Sequence, residues 1–278
     1  MRSPTVDLGA RDPAFIRANL PGFVRVFRRY HKATVEGLEE IPEGAALVVG
    51  NHNGGVASPD MFALMVAWWE RFGPDAAAYG LAHDLAFRVP VLKTLLARVG
   101  ALPAGHEVAR SALAQGARVL VYPGGDLDAY RPWSRRHEIV FGPRRGFIRL
   151  ALQAGVPIVP VVSIGAHESF FVITDGAEFA RRSGLKGLTR MEVLPVIAGL
   201  PWGLWVGALP HLPLPTKMRL RVLPPLAWPS LDASAAEDPA KVERCFEEVR
   251  GVMQSALDQM RREGGYGRRS LGEILTDA

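Results

Sequence analysis

Three short apolar runs constrain the fold of this chain more than any other feature. Residues 45–50 (AALVVG) and 117–122 (ARVLVY) read as buried strands that stop at glycine-rich turns. Residues 156–164 (VPIVPVVSI) read as a third buried strand, edged or bulged at its prolines. Around them lie helical stretches at 59–71, 91–98, 107–115 and 144–154, and a long helix over 238–262 that starts at an Asp-Pro pair. Further strands are expected at 76–82, 191–196 and 217–223. Strands alternating with helices along one chain indicate an α/β layering with an at least partly parallel sheet. No repeat or low-complexity linker interrupts this order, so a single domain is expected. Within it, residues 1–33 should form an N-terminal amphipathic helical segment, 34–230 the core, and 231–278 a C-terminal helix and tail packing on the core, the tail fraying beyond Gly264.

Segment 12–32 is expected to be helical in two pieces around Pro21-Gly22. Phe23, Val26, Phe27 and Tyr30 recur at helical spacing, with Arg25, Arg28, Arg29 and Lys32 interleaved. That pattern suits a packed helix with a solvated arginine face or a basic helix lying on an anionic membrane. Over the 278 residues, 33 basic side chains stand against 28 acidic ones, and 28 of the basic residues are Arg. Arginine forks match phosphate and carboxylate, so anionic partners fit; a coding bias toward Arg accounts for the count equally well. No aromatic-interleaved basic motif points to nucleic acid. A chain that is 48% hydrophobic and 22% charged is neither disordered nor fibrous, and the lone Cys245 closes no disulfide and no cysteine-based zinc site. The N-terminus has no apolar stretch suited to a secretory signal. The longest uncharged run, 193–216 (VLPVIAGLPWGLWVGALPHLPLPT), has the length of a membrane span, but Pro195, Pro201, Pro210, Pro213 and Pro215 would break a helix repeatedly. It reads as a buried apolar connection or as a surface loop placing Trp202 and Trp205 in a membrane interface.

The chemistry concentrates in the loop after the first strand, Gly50-Asn51-His52-Asn53-Gly54-Gly55-Val56-Ala57-Ser58-Pro59-Asp60. Ser58 suits an N-cap and Pro59 the first helical position, which puts Asp60 in the first turn. Residues eight apart on one helix stand about 12 Å apart along its axis. The Gly54-Gly55 bend lets the loop carry His52 back toward Asp60. A carboxylate that orients one ring nitrogen while the other takes a proton makes a working base. A surface histidine beside an aspartate favoured by the helix dipole is the other reading. His83, His106, His137, His167 and His211 show no metal-ligand spacing, so no metal site is expected. His167-Glu168 follows the third strand at its C-terminal end, lining a pocket or only forming a loop.

Four blocks then occur in order: VVGNHNGGVASPD, GALPAGHEVARSAL, VYPGGDLDAYRPW and RRGFIRLALQAGVPIVPVVSIG. The ordered set resembles the phospholipid/glycerol acyltransferase superfamily, the lysophospholipid acyltransferase family, particularly its diacylglycerol-acyltransferase-like branch. The likeness covers residues 34–230. It implies a single-domain, glycerol-3-phosphate-acyltransferase-like layered α/β fold with a mixed, mostly parallel sheet flanked by helices. It also implies O-acyl transfer, with His52 deprotonating the acceptor hydroxyl, Asp60 orienting His52, and the hydroxyl attacking the thioester carbonyl of acyl-CoA or acyl carrier protein. Backbone N–H groups of Gly54 and Gly55, or of the Pro123-Gly124-Gly125 turn, would hold the tetrahedral intermediate. Asn51, Arg131, Arg144 and Arg145 are expected to bind substrate, the arginines through phosphate oxygens, with Arg135 and Arg136 as further candidates; solvated surface charge is their other reading.

No metal or bound cofactor is implied. The partners are an acyl thioester donor, a glycerolipid acceptor and an anionic membrane surface, met peripherally at the cytoplasmic face. A lysophospholipid or 1-acylglycerol 3-phosphate is the expected acceptor, with mono- or diacylglycerol or a long-chain alcohol as alternatives. A non-catalytic lipid-binding protein on the same fold is the competing reading. Three departures from the family pattern stand out. Seven residues rather than four separate His52 from Asp60, leaving Ala57 at the usual carboxylate position. The usual proline–glutamate–glycine is Pro123-Gly124-Gly125, and Gly105-His106-Glu107 stands where an Arg is usual.

Overall fold

Alternation inside the apolar runs decides the layering. The computed structural model describes residues 8–83, 87, 90–182 and 192–269. The chain runs through α1 (Pro13–Arg25), β1 (Thr34–Glu36), β2 (Ala46–Gly50), α2 (Pro59–Phe72), β3 (Ala78–Ala82), α3 (Pro90–Arg98), β4 (Ala101–Pro103), α4 (His106–Ala114) and β5 (Arg118–Val121). It continues as α5 (Gly125–Ala129), α6 (Gly146–Ala154), β6 (Ile158–Ile164), β7 (Phe171–Thr174), α7 (Ala177–Arg182), β8 (Val196–Gly199), β9 (Gly203–Val206) and β10 (Thr216–Lys217). Last come β11 (Arg219–Val222), α8 (Pro239–Glu263) and β12 (Gly267–Arg268).

Seven strands form the main sheet in the order β1-β11-β6-β2-β5-β3-β4. Its pairs are parallel except β11 with β6, so the sheet is mixed and mostly parallel, as the resemblance implies. Leu47 and Val49 of β2, Val119 and Val121 of β5, and Val162 of β6 share one core with α4, α6 and α8. Ala46, Val48, Leu120, Val159 and Val161 share the opposite core with α1 and α2. Period-two alternation thus sends each central strand's side chains into two apolar layers, which is why these strands read as continuous apolar runs. Truncating the fully buried Leu47 to Ala should cost about 2–5 kcal/mol.

Several elements differ from expectation for identifiable reasons. Helix α1, capped by Asp12 accepting from Phe15 N at 2.9 Å, runs straight through Pro21. Pro21 is exposed on the solvent side, where water can serve the carbonyl that loses its donor. A π-helical turn at Val26–Tyr30 follows instead of a break. Pro160 lies inside an interior strand rather than on an edge. There β11 has ended at Val222, Pro160 O accepts from Leu223 N at 2.9 Å, and the pairing slips by one residue before the Ile158–Leu226 bridge. The strand expected at 191–196 instead occupies Val196–Gly199, and Met191 falls outside the described residues. Residues 265–269 do not simply fray, since β12 pairs with β10.

Segment 193–216 is neither of its two expected forms alone. It holds a β-hairpin, β8–β9, that joins β7 in a three-stranded antiparallel sheet. Trp205 is buried beneath it, while Trp202 at the hairpin turn is exposed. Among the described residues, no helix is long and apolar enough to cross a membrane.

Candidate active site

The parallel strands β2, β5 and β6 end side by side, and their C-terminal loops build the site. Ligand sites of open α/β sheets form at this end, where loops from neighbouring strands meet. At the end of β2, Gly50 lies against the ring of Tyr122, where a Cβ would stand 2.5 Å from Cε1, so only glycine admits this approach. Asn51 is buried, its amide accepting from Ser163 N at 2.7 Å and donating to Ser163 O at 3.0 Å. The expected substrate-binding role of Asn51 therefore gives way to a clamp between the loop and β6.

His52 is held by its backbone. Its N–H donates to Asp128 Oδ2, and its carbonyl accepts from Arg131 Nη1 at 2.9 Å. The imidazole packs on Tyr122 with ring centroids 5.1 Å apart, and its buried Nδ1 finds no hydrogen-bond partner of good geometry among the described residues. Burial, reinforced by the nearby Arg131 charge, pushes the His52 pKa down to about 4, so the ring is neutral at pH 7.

The direct bond from His52 to Asp60 expected from the loop is not formed. Asp60, buried in the first turn of α2, accepts from Asn53 Nδ2 at 3.1 Å and from Met61 N at 2.9 Å. The connection runs through Asn53, whose Oδ1 accepts from Arg131 Nη2. Burial lifts the Asp60 carboxyl to about 7 against the pull of these donors. Tyr122 is raised well above its ordinary value by burial, and further by Asp60. Ser58 takes the N-cap position but does not cap; its hydroxyl donates to Gly55 O at 2.9 Å, while Pro59 begins the helix as expected.

Arg131 corrects the sequence reading most sharply. It is 1% exposed, and its guanidinium donates to Asp128 Oδ1 at 3.0 Å, Asn53 Oδ1, His52 O and Arg136 O at 2.9 Å. It orders the His52 loop and is neither a surface charge nor open to a substrate phosphate. Asp128 receives Arg131, His52 N and Val140 N; burial raises its carboxyl to about 6, so it is ionised at pH 7 beside Arg131. Arg144 donates to Gly124 O at 2.7 Å, Pro123 O at 3.3 Å and Asp126 Oδ1 at 2.6 Å, bracing the β5 turn from within the protein. Arg145 forms a two-pronged pair with Glu243 at 2.7 and 2.9 Å and covers the Phe246 ring, tying α6 to α8. Neither arginine is left free for the phosphate role.

Between the two expected sets of oxyanion donors the turns differ. Gly125 N is engaged by Tyr122 O at 3.1 Å. Gly54 and Gly55 N–H donate no hydrogen bond among the described residues. Gly55, at φ +57°, is cradled by His211, Tyr130 and Phe170, whose ring atoms would stand 3.0–3.3 Å from a Cβ. Asn53, Tyr122, Asp128 and His211 escaped the sequence reading as site residues. Only Tyr122 and Asp128 carried a signal, by flanking the Gly-Gly turn. His167 Nε2 donates to Arg131 O at 2.9 Å, and the ring is buried behind the site. An apolar groove lined by Phe27, Val35, Leu38, Ala63 and Val66 lies along α2, and none of its lining residues belongs to the His52 loop. No cluster able to hold a metal ion is found among the described residues.

Residues 32–164, which hold the central strands and the histidine loop at their ends, match the family model described as Acyltransferase. An uncharacterized protein of Mycobacterium tuberculosis is 31% identical over 255 residues, covering 91% of this chain and 68% of that protein. The DGAT1/2-independent enzyme synthesizing storage lipids of Mus musculus is 30% identical over 141 residues, covering 51% of this chain and 41% of that enzyme. The crystal structure of the 1-acyl-sn-glycerophosphate (LPA) acyltransferase PlsC from Thermotoga maritima shares the fold at a TM-score of 0.55 and 17% identity, covering 88% of this chain and 79% of that one. The chain belongs to the acyltransferase family.

Proposed function

We propose that this chain moves a fatty acyl group from acyl-CoA or acyl carrier protein to a glycerolipid hydroxyl at an anionic membrane surface, on its cytoplasmic face, with His52 as general base. The observation that carries this reading is a neutral imidazole fixed through its own backbone at the C-terminal end of a parallel strand. The imidazole takes the proton of the acceptor hydroxyl as its oxygen bonds to the thioester carbonyl carbon. The tetrahedral oxyanion is held by the N–H groups of Gly54 and Gly55. As it collapses, the C–S bond breaks and the imidazolium returns its proton to the thiolate, leaving an ester and a free thiol. Burial and Arg131 disfavour the imidazolium, which favours that return. Asp60 acts as a positioning residue through Asn53, and the Asp128–Arg131 pair fixes the loop.

The first acceptor reading is a lysophospholipid or 1-acylglycerol 3-phosphate, in line with the 1-acyl-sn-glycerophosphate (LPA) acyltransferase whose fold this chain shares. The engagement of Arg131, Arg144 and Arg145 with other groups of the chain, together with the storage-lipid relative, favours mono- or diacylglycerol as the second reading. Labelled acyl-CoA offered with lysophospholipids, 1-acylglycerol 3-phosphate, mono- and diacylglycerol and long-chain alcohols separates them. Transfer to none of these rejects the enzyme reading and leaves a lipid-binding protein; equal transfer by His52→Ala rejects His52 as the base.

A further inference from the structure

The sheet β7–β8–β9 is apolar on both faces. Its inner row, Val172, Ile197 and Trp205, packs with Tyr130 and Phe170. Its outer rows are Phe171, Ala198, Leu204 and Thr174, Val196, Val206, with no charge among them. A sheet with one solvated face ordinarily alternates apolar-in and polar-out. Here Leu204 is 66% and Trp202 56% exposed, and Leu200, Val206, Leu209 and Leu212 continue the same apolar surface. So large an exposed patch marks an interaction site.

Its border is cationic. Tyr30 OH donates to Pro213 O at 2.9 Å, which brings the π-helical turn and the exposed Arg25 and Arg29 beside the patch. On the other border Trp133 stacks on Phe171 at 5.0 Å, with the guanidinium groups of Arg136 and Arg268 over its ring at 4.5 and 5.4 Å. The acidic neighbours are engaged: Asp175 accepts from Ala177 N, and Glu178 pairs with Arg182 at 2.6 Å. At its inner end, His211 stacks on Phe170 at 4.8 Å and touches the Gly55 cradle, so the patch reaches the rim of the His52 loop.

We infer that this outer face, led by the Trp202 hairpin, docks into the headgroup–acyl boundary of an anionic phospholipid bilayer and presents the His52 loop to lipid entering sideways. An apolar face ringed by positive charge complements such a surface, whereas two copies face to face would bring like-charged rims together. The inference rests on the membrane reading above, and it is tested without donor or acceptor so that the two fail separately.

In vesicle co-sedimentation the wild type should bind phosphatidylcholine–phosphatidylglycerol vesicles. Trp202→Ser/Leu204→Ser/Val206→Ser should lower that partitioning at least about tenfold. Arg25→Ser/Arg29→Ser should lower it about fivefold per charge on these vesicles and leave binding to pure phosphatidylcholine unchanged. A far-UV circular dichroism spectrum and a cooperative thermal transition like those of the wild type report that the triple variant is folded. Quenching by brominated lipids, which needs no destabilising change, should weaken in Trp202→Phe. Absent wild-type binding, or a triple variant that binds as wild type with quenching equal in Trp202→Phe, overturns the inference. It is also overturned if the wild type is a dimer that the triple variant dissolves while vesicle binding persists.

Discussion

The His52 loop and the outer sheet meet at Gly55, yet each inverts the usual distribution of polar and apolar groups in its own way. In the loop, charge goes inside: Arg131, Asp128 and Asp60 are all buried, with Arg131 and Asp128 from the end of β5 bonded to the loop after β2, and Asp60 bonded to Asn53 of that loop. In the outer sheet, apolar side chains go outside, with Leu204 and Val206 facing away from the core. The loop is determined by directional bonds that leave few alternatives. The sheet is shaped by burial on one face and leaves the other unsatisfied. Rigidity belongs where protons move, and open apolar surface belongs where a lipid is met.

The largest expected effect lies in the loop. His52→Ala should lower acyl transfer about a hundred- to ten-thousandfold in a labelled-donor assay, with little change in thermal midpoint. Breaking the buried pair with Arg131→Met should cost about 3–5 kcal/mol in urea unfolding, because Asp128 is left charged and unpaired. A cost below about 1 kcal/mol would place the loop's order elsewhere. Gly55→Ala sits where the loop meets the sheet, and the strained φ together with the ring cradle should cost about 1–3 kcal/mol. Its acyl-transfer rate should fall further than that of Arg145→Ala.

Asp60→Asn gives a smaller, pH-dependent effect. Because burial raises the Asp60 carboxyl to about 7, the folded state keeps a proton that the unfolded state releases from about pH 4 upward. Wild-type stability attributable to this group therefore falls as pH rises from about 4 to 7 and is flat above. The variant cannot ionise, so its stability relative to wild type should climb across that window; a pH-independent difference in denaturation midpoints counts against a buried carboxyl. Smallest of all, Arg145→Ala should change turnover by less than about twofold while loosening α8 by about 1 kcal/mol, since it stacks on Phe246 away from the loop.

The layering and the His52 loop were legible because both rest on short-range pattern. Residues 45–50 and 119–121 are continuously apolar, and glycine closes the first run and follows shortly after the second, so no competing element fits them. Asn53 as a relay was not legible, since its partners Asp60, Ser163 and Arg131 come from three separate segments. Arg131 was misplaced because an arginine in a turn-rich stretch is ordinarily exposed. The outer sheet was hidden for a different reason: with both faces apolar, β8 and β9 show no polar alternation to read.

The bonds that order the His52 loop span long stretches of chain: Asn51 to Ser163 is 112 residues apart, and His52 to Arg131 is 79. Contacts of this kind close only after the loops between them have collapsed, and the entropy of that closure comes before its reward. The His52 loop is therefore completed only once β6 is seated beside β2. A chain ending before residue 163 keeps Asp128 and Arg131 for the His52 backbone but lacks the Ser163 clamp on Asn51, so the full set of bonds arrives with the last central strand.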